Sequence, residues 1–242
     1  MKGAALTQRF ADLKERIDHA GSTEALFEAV SSMREVFDVE HAVYHSVDPA
    51  GQPYALATYG PDWAKHYECD KLYLIDPVVR AAFSAFSPYD WRHLDWSGKR
   101  LQNFRHEAIE GGVGNQGLSV PIRGPNGEFA LVTVSTRARE DQWHRQTKDM
   151  REKVLMTGYY LHAANRALLN REQEHDKAYL SPRERDVLVL LSVGIHRSGI
   201  ADRLKISEHT VRVYIDTARR KLGARNTVHA VTMALKSGLI SL

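Results

Sequence analysis

The chain has 242 residues, enough for two domains, and its 43% hydrophobic and 26% charged residues are the balance of an ordinary water-soluble protein. No apolar run approaches the roughly 18 residues of a membrane span, and the charged N-terminus MKGAALTQRFADLKERI offers no apolar core for a signal peptide, so a cytoplasmic location without a membrane partner is expected. The single cysteine, Cys69, excludes an intrachain disulfide and a multi-cysteine zinc site; the net charge of +3 conceals a division, with eleven Lys and Arg against five Asp and Glu from Ala178 onward and 22 basic against 25 acidic residues before it. A basic tail on a mildly acidic body points the tail toward phosphate.

In chain order, residues 4–20 and 23–37 have helical spacing. Leu26, Phe27, Val30, Met33, Val36 and Phe37 form one apolar stripe in the second, with Ser22 or Thr23 as its N-cap. His41–Val47 and Tyr54–Tyr59 are rich in β-branched and aromatic residues. Asp48-Pro49-Ala50-Gly51 between them is turn chemistry, which predicts a hairpin. Residues 61–70 and 77–86 predict short helices that open on Pro, and 98–110 predicts a third, ending at Gly111-Gly112. Strands are expected at Leu118–Ile122 and Glu128–Thr136, joined by Arg123-Gly124-Pro125-Asn126-Gly127. A long helix over about 140–170 follows, then a polar linker at 170–177.

Residues 1–169 therefore predict an α+β domain, an α/β/α sandwich of GAF or PAS type built on an antiparallel sheet, an architecture that holds small molecules against the sheet. Gly112-Val113-Gly114-Asn115-Gln116-Gly117 spells GxGxxG but follows a helix and opens a strand. A dinucleotide site needs the reverse, so the segment reads as a turn. The twelve histidines show no metal-ligand spacing and no nucleophile–base set is evident, so no metal, cofactor or enzymatic activity is expected.

Residues 178–242 predict an all-α domain of four helices. The first follows Ser181-Pro182, buries Val187, Leu188, Leu190 and Leu191, and stops at Gly194. The second, about 197–204, buries Ile200, Ala201 and Leu204, and Lys205-Ile206 forms the turn with Ile206 as its plug. Ser207 caps the third helix, with Thr210 where a capping box would have Glu or Gln. That helix buries Val211, Ile215, Ala218 and Leu222, and its other faces carry Glu208, His209, Thr210, Arg212, Val213, Asp216, Arg219, Arg220 and Lys221. Two helices on a short turn, the second basic, make a helix-turn-helix that enters the major groove of double-stranded DNA. Arg212 is the expected base reader, through guanine O6 and N7. Arg219, Arg220 and Lys221 are expected on phosphates. An amphipathic helix with a solvated basic face has the same pattern.

The stretch LSPRERDVLVLLSVGIHRSGIADRLKISEHTVRVYIDTARRKLGARNTVHAVTMALKSGLI resembles the C-terminal domain of the LuxR family, with Glu184, Leu188 and Gly194 at that family's spacing. Tyr214 and Thr217 depart from it, where many members have His and Asn, and leave the operator sequence open. The SEHTVRVYIDTARRKLG pattern is more like the rhizobial quorum-sensing regulators. TYGPDWAKHYECDKLYLIDPVV, PYDW, GLSVPIRGPNGE and ALVTVST are similar to the autoinducer-binding domain of acyl-homoserine-lactone receptors.

What that resemblance implies is an N-acyl homoserine lactone held by six residues. Trp63 would donate to the lactone carbonyl, Asp76 accept from the amide N–H, and Tyr59 and Ser135 meet the acyl carbonyl. Tyr67 and Trp91 would wall the site, and Gly117 would let backbone come close. Asp76 before Pro77 equally makes a helix N-cap, and Trp63 and Trp91 equally make core aromatics. The resemblance also implies a homodimeric transcription regulator on a two-fold symmetric operator, with RNA polymerase as a further candidate partner. Pairing is expected through Trp143, Met150, Val154, Met156 and Leu161 of the long helix and again through the last helix, about 226–237. The alternative is a regulator of the same architecture that senses another small molecule or binds DNA without one.

Overall fold

The computed structural model describes residues 2–47, 53–124, 128–173 and 179–241. They form two compact units, one ending at Arg171 and one beginning at Glu172. In the first, α1 (Lys2–Asp18) and α2 (Thr23–Phe37) precede β1 (His41–Val47) and β2 (Pro53–Ala57). Next come α3 (Pro61–Cys69), α4 (Pro77–Ala82), the two-residue β3 (Tyr89–Asp90) and α5 (Lys99–Glu110). The strands β4 (Gln116–Arg123) and β5 (Phe129–Thr136) and the long α6 (Glu140–Gln173) complete the unit. Every strand pair is antiparallel, and the order is β2-β1-β5-β4-β3.

Strand alternation decides the layers. Ala42 and Tyr44 of β1, Leu118, Val120 and Ile122 of β4, and Val132 and Val134 of β5 share one core with α1, α2 and α6. The alternate residues are smaller and more polar: Gly117 stands across from Ser135, and Ser119 across from Thr133. On that side the core is completed by Trp63, Leu72, Val78, Trp91 and Phe104, all from the segments between β2 and β4.

The expected α+β sandwich is the observed one, with four differences. β3 and the 3₁₀ turns Leu72–Leu74 and Trp91–His93 are too short to carry a readable period. The strand expected to reach Tyr59 ends at Ala57, so Tyr59 stands in the approach to α3. The helix expected over 77–86 ends at Ala82, because the Arg123 guanidinium donates to the carbonyls of Ala82 and Phe83 at 2.8 and 2.9 Å. Those carbonyls would otherwise need a further helical turn or water. α6 continues to Gln173, through the start of the segment expected as linker; residues 174–177 lie outside the described residues, as do the turns at 48–51 and 125–127.

The stripe expected to pair two chains along α6 is largely internal. Trp143, Met150, Val154 and Leu161 are at most 1% exposed and pack under the sheet, so they cannot meet a second copy. Met156, the fifth of the expected residues, is exposed, and Tyr159 is exposed with it. Periodicity identifies an apolar stripe but not what covers it.

In the second unit, α7 (Pro182–Ser192), α8 (Arg197–Leu204), α9 (Glu208–Lys221) and α10 (Thr227–Lys236) pack around two small cores. Val187, Ile200, Ala201, Val211 and Ile215 join α7, α8 and α9; Leu188, Ala218, Leu222, Ala230 and Ala234 join α7, α9 and α10. α7 opens on a complete capping box, in which Glu184 donates its N–H to Ser181 Oγ and accepts the Ser181 N–H on Oε2 at 2.7 Å. Among the described residues, no helix is long and apolar enough to cross a membrane.

Candidate functional site

The core on the Gly117 and Ser119 side of the sheet brings together all six residues expected to bind a small molecule. Pro61 opens α3, which carries Trp63 and Tyr67 on consecutive turns of one face, with ring centroids 6.1 Å apart. Phe104 of α5 lies 6.3 Å from the Trp63 ring and 6.5 Å from the Tyr67 ring. Asp76 caps α4, with Pro77 at the first helical position, and its Oδ1 accepts the Val78 N–H at 2.8 Å. Its other oxygen accepts the Tyr67 hydroxyl at 2.8 Å. The N-cap role is therefore present, and it occupies only one of the two carboxylate oxygens. A carboxylate has about four lone-pair positions, so Oδ2 retains one for a further donor.

Trp63 is buried, and its indole N–H enters no hydrogen bond among the described residues. Its ring rests on Gly111, where a Cβ would stand 2.5 Å from it. Ser135 is fully buried and donates to the Val113 carbonyl at 2.7 Å, so its oxygen accepts from Tyr59 in the longer contact of 3.3 Å. That long bond is the weak one in the site, and the Tyr59 hydroxyl is the donor best able to turn to another acceptor. Trp91 lies over Gly117 so closely that a Cβ there would come within 2.3 Å of its ring. Its indole N–H is already used, donating to Ser119 at 2.9 Å, and Ser119 in turn meets the Thr133 hydroxyl at 2.9 Å.

Ser119, Thr133 and Tyr89, whose hydroxyl donates to the Val78 carbonyl at 2.6 Å, are further polar groups beside this core that were not among the expected residues. The alternation of Leu118, Val120 and Ile122 with Gly117 and Ser119 along β4 is the signal that could have found Ser119. A cleft of about 430 Å³ elsewhere, between α1 and α2, is walled by Arg9, Asp12, Arg16 and Glu35 and does not suit an apolar ligand.

Burial governs the electrostatics. Desolvation pushes the Asp76 carboxyl up to about 6, against the lowering effect of the Tyr67 and Val78 hydrogen bonds. Desolvation also raises the Tyr59 and Tyr67 phenols, which stay neutral donors at any physiological pH. A carboxyl whose pKa is higher folded than unfolded favours the fold most when protonated. Its contribution is full below about 4 and is lost as pH rises through about 6, roughly 3 kcal/mol in all. Asparagine retains a capping oxygen without that titration. The melting temperature of the natural protein should therefore fall relative to Asp76→Asn between pH 4.5 and 7.5. Parallel pH profiles would show that Asp76 does not titrate in this window.

On the second unit, the turn between α8 and α9 is Lys205, Ile206 and Ser207. Lys205 takes the left-handed conformation at φ 53°, Ile206 donates to the Ala201 carbonyl, and Ser207 accepts the Thr210 N–H at 3.1 Å. α9 then presents His209, Arg212, Val213 and Arg220 to solvent, with Thr210 and Asp216 half-exposed. The Arg212 side chain is 70% exposed, and its ion pair with Asp216 is a long one at 3.9 Å.

Two of the expected phosphate contacts are engaged within the unit. Arg219 donates to Asp216 at 3.3 Å and to the Arg225 carbonyl at 3.1 Å, which holds the loop before α10. Lys221 reaches the buried Glu184 of the α7 capping box at 2.8 Å. Burial would raise that carboxyl, but the Lys221 and Ser181 donors hold it below the usual range. Arg220 makes only a 3.3 Å contact to Thr217 and is exposed. Arg197 and Lys205, at the two ends of α8, are further exposed cations on the helix that in such motifs crosses the DNA backbone.

Residues 22–164 match the family described as "Autoinducer binding domain", and residues 178–234 match "Bacterial regulatory proteins, luxR family". The transcriptional activator protein RaiR of Rhizobium etli is 34% identical over 175 residues, covering 72% of each chain. The crystal structure of Escherichia coli SdiA shares the fold, with a TM-score of 0.70 at 18% identity over 98% of this chain and 99% of that one. The crystal structure of the N-acylhomoserine lactone dependent LuxR family transcription factor CepR2 from Burkholderia cenocepacia has a TM-score of 0.58 at 19% identity, over 69% of this chain and 99% of that one. The chain belongs to the LuxR family of bacterial regulatory proteins: it is a DNA-binding transcription regulator, not an enzyme, with an autoinducer-binding domain ahead of its helix-turn-helix.

Proposed function

We propose that the autoinducer is an N-acyl homoserine lactone and that the protein is a cytoplasmic quorum-sensing regulator, acting as a homodimer on a two-fold symmetric operator. The observation that carries the ligand is the pairing of two complementary polar groups within one apolar core. The Trp63 N–H is an uncommitted donor, and Asp76 Oδ2 is a buried acceptor with room for a second donor. A lactone carbonyl and an amide N–H match them, and each would cost about 1–3 kcal/mol if buried without a partner. The acyl carbonyl then takes the Tyr59 hydroxyl, while the Ser119 and Thr133 hydroxyls line the sheet beside the acyl group. The likeness in fold to CepR2, a factor dependent on this ligand class, supports the same reading.

Dimerisation rests on the exposed Met156 and Tyr159 of α6 and on the exposed Val228 of α10. The description of RaiR as an activator makes RNA polymerase a proposed partner. In DNA recognition, Arg212 reads a base and Arg220 a phosphate. Arg212→Ala should lose roughly 1–3 kcal/mol of discrimination at one position of each half-site. Arg220→Ala should weaken all sequences alike and flatten the salt dependence by about one phosphate. Selection from random duplexes with and without lactone tests the whole reading. A two-fold symmetric sequence whose recovery depends on lactone is expected, and equal binding of intact sites and half-sites would contradict the dimer.

A further inference from the structure

Asp90 and Trp91 are consecutive residues that serve opposite sides of the sheet. Trp91 lies on the ligand side, over Gly117 and bonded to Ser119. Asp90 pairs in register with Leu118, whose side chain belongs to the other core, and is 3% exposed. Its Oδ2 accepts the indole N–H of Trp143, in the first turns of α6, at 2.9 Å, and the Arg92 Nη2 at 2.9 Å. Its Oδ1 accepts the Arg92 backbone N–H at 2.9 Å and Nε at 3.1 Å. Arg92 then stands 3.7 Å from Glu140, the first residue of α6.

The strand that carries Asp90 cannot position Trp91 by itself. β3 is an edge strand of two residues, held to β4 at only two register positions. A longer strand fixes its side chains through its ladder, whereas here the anchor is a side chain. The Asp90 carboxylate, nearly closed to solvent and met by four donors, clamps the chain immediately before the Trp91 ring. Burial alone would raise its pKa, but Arg92 and Trp143 hold it below the ordinary carboxylate range, so the clamp is ionised at neutral pH.

We propose that Asp90 is a positioning residue for the ligand site: through Trp143 it ties the Trp91 wall to the start of α6, so that the seat of the ligand and the seat of that helix are set together. This rests on the reading of the Trp91 side as the autoinducer site.

The test uses the full chain and two readouts. One is the indole N–H resonance of Trp91 in a 15N-labelled sample without ligand, assigned through Trp91→Phe. The other is the dissociation constant for an N-acyl homoserine lactone that raises the melting temperature of the natural protein. Trp143→Phe removes the N–H donor and keeps an aromatic ring. It should shift or broaden the Trp91 resonance and weaken lactone binding about five- to tenfold. Asp90→Ala should do the same, Asp90→Asn should restore part of it because its oxygen still accepts from Trp143, and the double variant should add little to either single change.

A merely structural tie would lower the melting temperature equally with and without lactone, leaving the resonance and the dissociation constant unchanged. That result in Trp143→Phe overturns the proposal. Should the natural protein bind no lactone, the ligand reading fails on its own, and the Trp91 resonance decides the positioning role: moved, the role stands; unmoved, it falls.

Discussion

Replacing Asp76 with asparagine is expected to weaken N-acyl homoserine lactone binding by about 10- to 150-fold, the 1.5–3 kcal/mol of a hydrogen bond to a charged group. The fold should survive. The asparagine keeps an oxygen for the Val78 N–H and its amide can donate to the Tyr67 hydroxyl, so the α4 cap persists. The ligand amide would then meet an NH2 where it met a carboxylate oxygen, donor against donor. Isothermal titration on both proteins checks this. Unchanged affinity would reduce Asp76 to a helix cap.

Gly117→Ala is expected to be nearly as damaging by a different route. The added Cβ would stand 2.3 Å from two ring atoms of Trp91, far inside van der Waals contact. The ring has no free direction to yield: Ser119 holds its N–H and the Asp90 clamp holds the chain before it. Overpacking of this kind costs about 1–3 kcal/mol. The strain would fall on the Trp91 ring and its bond to Ser119, so lactone-induced stabilisation should disappear. Gly21→Ala, where nothing lies within 4 Å, is the control and should leave both stability and ligand response intact. A Gly117→Ala variant that melts and binds lactone like the natural protein would mean that Trp91 does not wall the site.

The helices of the DNA-binding unit were legible because local chemistry marks their ends. Ser181-Pro182 opens α7, Gly194 closes its turn, and Ser207 caps α9, so the expected span of 197–204 for α8 is the observed one. What lay between distant residues was not legible. Glu184 and Lys221 are 37 positions apart, and nothing local says that one neutralises the other. The α6 stripe shows the same limit: Trp143, Met150, Val154 and Leu161 had the right period for a contact face, but the sheet of their own chain covers it. In the ligand site, residue type and spacing alone left Asp76 as a cap and Trp63 as a core ring. The resemblance to autoinducer-binding domains singled them out, and the geometry leaves space for both roles, since the cap uses one oxygen of Asp76 and the other meets Tyr67. Nothing local marks Asp90, because its partner Trp143 is 53 residues away.

Thermal melting of the purified full chain against N-acyl homoserine lactones with straight, branched and aryl acyl groups tests the central claim most directly. One class should raise the melting temperature, because a ligand at 100 times its dissociation constant adds roughly 2.7 kcal/mol to the folded state. Protein that is folded without ligand and shows no rise with any of them would contradict the assignment of the Trp63–Asp76 site to this ligand.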